Sequence, residues 1–211
     1  ISMKFPLPFL LITILAFCSI TTAAQVCKLA CPANMIVKTD SSREGAIVNF
    51  PAAATTGDCG VVTYSRAPGS FFRIGSHSVV VTAADGQKCS FTITVADNEP
   101  PVLSAVTLSS RRIWPATNKM KRVGVYYTTS DNAEEVTTVL SVSSNDTESA
   151  TKDCEVINNH LVRLKAARLP GGEPRVYTIT VSTSDMSGNT TRRMTSIVVS
   201  KKMVAQDVVM Y

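Results

Sequence analysis

The segment Cys89-Ser90-Phe91-Thr92-Ile93-Thr94-Val95-Ala96-Asp97-Asn98-Glu99-Pro100-Pro101 constrains this chain more than any other. Phe91, Ile93 and Val95 alternate with Ser90, Thr92 and Thr94, the two-residue period of a strand buried on one face. Its β-branched and aromatic residues suit a pleated, half-buried surface. Neither Pro100 nor Pro101 can donate to a ladder, so the sheet must end there. A strand that starts at a cysteine and stops at an acidic double proline divides the chain into two candidate domains.

The same pattern of short strands and turns fills the stretch before it. Met35 to Lys38 reads as a strand; Ala46, Val48 and Phe50 alternate in the next, which Pro51 closes. Thr56-Gly57-Asp58 turns the chain into Val61 to Ser65, and Pro68-Gly69 turns it again. Val79, Val81 and Ala83 share one face of a strand over His77 to Ala83, and Asp85-Gly86 leads back as a hairpin. After Pro101, strands are expected around Val102 to Leu108, Val123 to Tyr127, Leu140 to Val142, Val162 to Ala166, Tyr177 to Val181 and Thr195 to Val199. Pro170-Gly171-Gly172 is a loop, and no window carries a helical period.

An internal repeat ties the halves together. Ser78-Val79-Val80-Val81-Thr82-Ala83-Ala84-Asp85 matches Thr178-Ile179-Thr180-Val181-Ser182-Thr183-Ser184-Asp185, each followed by a glycine turn and an alternating final strand. The expected device is a duplicated hairpin whose turn an Asp side chain caps. The fold class is therefore all-β, with two tandem immunoglobulin-like β-sandwiches. The first spans residues 25–97 and the second 102–200, with 98–101 as linker and 201–211 as a tail.

Residues 1–24 stand apart. Ile1 and Ser2 precede Met3, the expected initiator; Lys4, the apolar run Phe5 to Ile20 and the small Thr22-Ala23-Ala24 then read as a secretory signal peptide cleaved near Ala24. Pro6 and Pro8 break the run, which is shorter than the roughly 20 residues of a spanning helix. No membrane insertion is expected after its removal. Loss of Lys4 would reduce the formal charge from +5 to +4 (5 − 1), since every acidic residue lies beyond Ala24. That small excess is dispersed, as in Lys119, Lys121 and Arg122 or Arg192 and Arg193, which argues against nucleic-acid binding. Two glycosylation sequons, at Asn145 and Asn189, fit a secretory route.

Several landmarks resemble those of the hyalin repeat (HYR) domain. They are Cys31-Pro32-Ala33-Asn34-Met35-Ile36-Val37, Gly45-Ala46-Ile47-Val48, Asp58-Cys59-Gly60-Val61-Val62, Pro68-Gly69-Ser70-Phe71-Phe72-Arg73-Ile74-Gly75 and the organising strand with its acidic Pro-Pro link. The resemblance covers about Cys27 to Ala96 and implies an extracellular module associated with adhesion and matrix assembly. Glu44 stands where many relatives carry a cysteine. The second half resembles a bacterial-type immunoglobulin-like domain through Ile113-Trp114-Pro115 with Asn118-Lys119-Met120, Leu161 to Ala166 and Arg175 to Thr180. Trp114 is expected as a core plug at the sandwich end rather than a sugar-stacking platform.

With Cys18 in the leader, five cysteines remain, and an oxidising compartment favours disulfides. In an immunoglobulin-like sandwich the opening strand can pair parallel to the last. Cys31 and Cys89 both sit at strand starts, so they are expected to pair. The second-to-third strand loop brings Cys59 to the same end, where Cys27 is the nearest candidate once Glu44 replaces the usual partner. Cys154 is left as the odd cysteine, either a buried thiol or one side of an intermolecular bridge.

Chemistry has little support. His77 and His160 fall in different domains, and Ser76 and His77 point to opposite faces of a strand, so a Ser76–His77–Asp85 triad does not converge. Cys27-x-x-x-Cys31 has a metal-like spacing, but secretion favours disulfides. Asp97, Asn98 and Glu99 offer hard oxygens at the junction, and Asp131 or Asp185 has a route to it. Calcium needs about six to eight oxygens, more than this run supplies, so a solvated linker without metal is expected. No cofactor and no catalytic residue is assigned. The chain reads as a secreted, non-enzymatic adhesion or matrix module with an extracellular protein or glycan partner. The alternatives are a carbohydrate-binding accessory module and, more remotely, a secreted hydrolase.

Overall fold

The computed structural model describes residues 25–133, 135–146 and 152–201, together with Ile1 and Met3. Most of the expected leader, Thr147 of the first sequon and the tail beyond Lys201 lie outside the described residues. The described chain is all-β and forms two immunoglobulin-like sandwiches.

The first contains β1 (Lys28–Ala30), β2 (Met35–Lys38), β3 (Gly45–Val48), β4 (Ala54–Thr56), β5 (Val62–Tyr64), β6 (Ser70–Arg73), β7 (Gly75–Ala83) and β8 (Lys88–Ala96). Its larger sheet runs β2-β8-β7-β5, faced by the β3-β6 and β1-β4 pairs. Alternation explains which face is buried. Val79 and Val81 on β7 point inward with Phe91, Ile93 and Val95 on β8, and they pack against Ala46, Val48, Phe50 and Phe72. Phe50 meets Phe91 edge to face, 5.1 Å between ring centroids, a favoured aromatic geometry. Gly45 is required by close approach, because a Cβ there would sit 2.1 Å from the Phe72 carbonyl oxygen.

The second contains β9 (Val102–Leu103), β10 (Thr107–Leu108), β11 (Arg112–Ile113), β12 (Met120–Tyr126), β13 (Thr129–Ser130), β14 (Val136–Ser144), β15 (Cys154–Asn158), β16 (Leu161–Lys165), β17 (Arg175–Asp185) and β18 (Thr190–Val199). One sheet runs β10-β12-β16-β15 and the other β11-β18-β17-β14, while β9 pairs with β13. Tyr177, Ile179 and Val181 of β17 meet Val123, Val125, Val162 and Leu164 across the core. The Tyr177 hydroxyl is buried but donates to the Lys165 carbonyl at 2.9 Å, so its burial leaves no orphaned polar atom. Beside it Arg175 bonds Asp153 and also Asp146, the latter at 2.6 Å.

The strands at β1, β4, β6, β11, β13 and β15 were not assigned from sequence. Tertiary pairing, not a sequence period, defines these pieces of two to five residues. Trp114 corrects an expectation. It is 46% exposed, whereas Ile113 is buried and pairs in parallel with Val199. Ile113 takes the core position at the end of β11, and Trp114, the first residue beyond the strand, lies outside it with its side chain half-exposed.

Phe72 is fully buried at the centre of the first core. Phe72→Ala is expected to lower the stability of that sandwich by about 3–5 kcal/mol, by lost transfer energy plus a cavity. Denaturant unfolding followed by a probe in each domain should show the loss in the first transition alone.

Candidate metal centre at the domain junction

Three chain segments meet where the sandwiches join. Asp97 follows the last residue of β8, Asp131 follows β13, and Asp185 ends β17. One carboxylate oxygen from each lies within 4.8 Å of the other two. Asp97 and Asp185 are buried, at 9% and 8% exposure, and Asp131 is half-buried. The expected solvated linker is thus corrected at Asp97. The two carboxylates it meets lie 34 and 88 positions away (131 − 97, 185 − 97), a convergence no local pattern encodes.

The internal repeat explains how Asp185 arrives there. In the first hairpin Ala83 N–H closes the turn on the Gln87 carbonyl at 2.9 Å; in the second Asp185 N–H does so on the Asn189 carbonyl at 3.1 Å. Asp85 therefore sits inside its turn, exposed, where its Oδ1 accepts from Gln87 N–H at 3.0 Å. Asp185 instead occupies the closing pair, because β17 runs two residues further than β7 in the matched alignment (185 − 83 against 178 − 78). An even extension preserves parity, so the face that carries Tyr177, Ile179 and Val181 continues inward through Thr183 to Asp185. Gly188, at φ 91°, makes the turn beyond.

Neutral amides orient the three carboxylates. Asp97 Oδ1 accepts from Glu99 N–H and from Asn132 Nδ2, each at 3.1 Å. Asp131 Oδ2 accepts from Ala133 N–H at 3.1 Å. Asp185 accepts from Asn189 N–H at Oδ1 and Asn189 Nδ2 at Oδ2, both 2.8 Å. Among the described residues, no lysine or arginine forms an ion pair with any of the three. Two unit charges at such a distance repel by about 3 kcal/mol at an effective dielectric near 20. Burial, with the charges of Asp97 and Asp185 adding to it, pushes the Asp131 carboxyl above its ordinary range, against the Ala133 hydrogen bond.

Other contacts tie the domains across this point. Ser42 N–H donates to both Glu99 carboxylate oxygens, at 3.1 and 3.0 Å, so Glu99 is committed to a loop of the first sandwich. Asn132 Nδ2 also donates to the Arg43 carbonyl at 3.0 Å, and Asn189 Nδ2 to the Asp97 carbonyl at 3.4 Å. Asn98 is exposed. A cavity of about 180 Å³ lined by Ser42, Glu99, Pro100, Val102, Ser130, Asp131 and Asn132 reaches the cluster from one side. A wider cleft, with Arg43, Glu44 and Phe71 on its wall, opens beyond it.

The remaining site residues are distributed elsewhere. The structure joins Cys27 to Cys59 with a Cα separation of 4.7 Å, and Cys31 to Cys89 at 5.8 Å. The parallel register Met35↔Ile93, continued back four residues on both strands, brings Cys31 opposite Cys89. Cys154 is half-buried and belongs to neither bridge; burial and the Asp153 charge raise its thiol pKa. Ser76 Oγ bonds Thr94 Oγ1 at 3.1 Å, whereas His77 Nε2 reaches the Arg73 carbonyl at 2.8 Å. His160 Nδ1 contacts the Val125 carbonyl at 3.1 Å, and its ring stacks on Tyr127. Asn145 is exposed, with its amide nitrogen on the Pro174 carbonyl at 3.3 Å, while the Asn189 amide nitrogen, the atom a glycan would occupy, bonds Asp185 and the Asp97 carbonyl. Sequence reasoning did not find Asn132 or Thr183; the inward parity of β17 was the available signal for the latter.

Residues 24–95 match the family model of the HYR domain. The chain is also similar to solved tandem-domain structures at low identity. The human mucin-like protocadherin EC1-2 structure is 11% identical, covering 83% of this chain and 97% of that one with a TM-score of 0.35. The titin domains Z1Z2, in complex with telethonin, are 14% identical over 83% of this chain and 96% of theirs, with a TM-score of 0.33. The protocadherin gamma B2 extracellular cadherin domains 3-6 are 12% identical over 83% and 47%, with a TM-score of 0.35.

The raised Asp131 carboxyl gives a pH dependence with a defined sign. A carboxyl whose folded pKa exceeds its unfolded value contributes stability that is present at low pH and lost as pH rises through the folded value. In chelator, Asp131→Asn should therefore melt above the wild type at neutral pH. The gap should close as pH falls below the raised Asp131 value; parallel melting curves across pH would refute the assignment.

Proposed function

We propose that this chain is a secreted, non-enzymatic binding or structural module of cell adhesion or extracellular matrix, and that its second sandwich is a bacterial-type immunoglobulin-like domain. The observation that carries the reading is the junction. Two sandwiches follow one another through Pro100-Pro101, the Asn132–Arg43 and Asn189–Asp97 hydrogen bonds link them directly, and the Ser42–Glu99 bonds pin the linker to the first. Two prolines restrict φ in the connection, and the cross-domain bonds limit it further. A scaffold of this kind presents surfaces at a fixed spacing, which suits recognition that engages both domains. The HYR match over residues 24–95 supports an extracellular setting, and two disulfides suit an oxidising one. Function then resides in exposed strands and loops. The two histidines are held by main-chain carbonyls in separate sandwiches and serve local structure.

A flexible Gly/Ser segment inserted after Ala96 should leave both domains folded while weakening attachment to an extracellular-matrix preparation, since the fixed spacing is lost. His77→Gln combined with His160→Gln should leave that attachment nearly unchanged. A turnover activity of the purified protein that the double variant abolished would overturn the binding-module reading.

A further inference from the structure

We propose that a calcium ion binds between Asp97, Asp131 and Asp185 and couples the two sandwiches through shared ligands. This goes beyond the binding-module reading and requires no partner to be known.

The acidic cluster alone does not make the case. The independent observation is a set of buried oxygens that find no hydrogen-bond partner. Asp97 Oδ2 has none, although Asp97 is only 9% exposed. Thr183 Oγ1 has none on a fully buried residue, one inward step before Asp185 on the same face of β17. Asn132 Oδ1 also has none, and its orientation is fixed because Nδ2 is already engaged by Asp97 Oδ1 and the Arg43 carbonyl. Buried polar atoms normally find partners, so the unsatisfied Asp97 Oδ2 and Asn132 Oδ1, on residues hydrogen-bonded to each other beside Asp131 and Asp185, point to a missing positive group.

The chemistry selects the ion. Every donor atom is a hard oxygen, with no imidazole or thiolate in the cluster, which suits calcium or magnesium rather than zinc. Oxygens bound to one calcium at about 2.4 Å are separated by at most twice that distance, the limit within which these carboxylates lie. Asp97 Oδ2, Asn132 Oδ1 and one oxygen each from Asp131 and Asp185 supply four ligands. Second carboxylate oxygens and water entering by the cavity beside Asp131 and Asn132 complete the six to eight that calcium takes. Calcium accepts such irregular, partly hydrated sets, whereas magnesium demands near-octahedral geometry.

The ligands also define what binding does. Asp97 belongs to the end of the first sandwich, while Asp131, Asn132 and Asp185 belong to the second. An ion held by both sides replaces mutual repulsion with shared attraction and stiffens the junction.

The test uses the purified full-length protein after chelation, titrated with calcium chloride by calorimetry and by thermal unfolding. One site is expected, with Kd of about 10⁻⁴ to 10⁻³ M, the range of extracellular calcium modules. At a hundredfold excess over Kd, Tm should rise by about 5–10 °C. Asp97→Asn and Asp185→Asn should each weaken binding at least about tenfold, whereas Asp85→Asn, in the equivalent turn away from the junction, should leave it unchanged. Asp131→Asn should melt at or above the wild type in chelator but gain less from calcium. If a variant fails to fold, the wild-type calcium response still decides. No heat and no Tm shift up to about 10 mM calcium, ten times the weakest expected Kd, would overturn the proposal. Equal affinity for magnesium would overturn the choice of ion, and a response kept by Asp97→Asn and Asp185→Asn would overturn the choice of site.

Discussion

Each sandwich depends on one long antiparallel hairpin, β7–β8 in the first and β17–β18 in the second. These strands are long enough for strict alternation to define an inner and an outer face, and shifting either by one residue would exchange the two. The inward set, Val79, Val81, Phe91, Ile93 and Val95 in one domain and Tyr177, Ile179, Val181, Ile197 and Val199 in the other, supplies much of each core. Shorter strands are templated on that surface. β2 lies parallel to β8, and β11 parallel to β18, so the same architectural solution recurs at the edge of both hairpins.

The repeat is also where the domains diverge. Running β17 two residues further than β7 keeps every side chain on its face yet moves the Asp from the turn to the closing pair. In the first sandwich the corresponding closing residue is Ala83, which packs with the Cys27–Cys59 bridge. In the second it is Asp185, which meets two further carboxylates. One architecture thus ends in an apolar, covalently stapled cap at one turn and in concentrated negative charge at the other. The HYR match accounts for the first sandwich alone, and the charged end belongs to the second.

Cohesion at the junction is divided between neutral and ionic groups. Main-chain amides of Ser42, Glu99, Ala133 and Asn189 and the side-chain amides of Asn132 and Asn189 satisfy many of the acceptors and hold the carboxylates in place. They do not neutralise them. Buried charge without a counter-charge is costly, which makes this the least self-sufficient part of the described structure. The same residues connect the domains, so whatever settles the charge also influences how freely one sandwich moves against the other.

Alternation, turn residues and the Pro100-Pro101 stop made the all-β class, the long hairpins and the two-part layout legible in the amino-acid order, because those signals act between neighbours. Cys31 and Cys89 were legible for a related reason: parallel pairing of the strands they precede is a property of the fold, and equal offsets do the rest. Two-residue strands such as β11 and β13 were not legible, since two residues hold no period. Trp114 was misread because hydrophobicity was taken as burial, when Ile113 beside it fills the core position. The candidate site lay beyond sequence reading. Asp97, Asp131 and Asp185 were each visible, but their approach depends on the docking of two sandwiches and on the two-residue length of β17 beyond its counterpart. Local interactions fix strands and turns; only tertiary packing decides which distant charges must share one small volume.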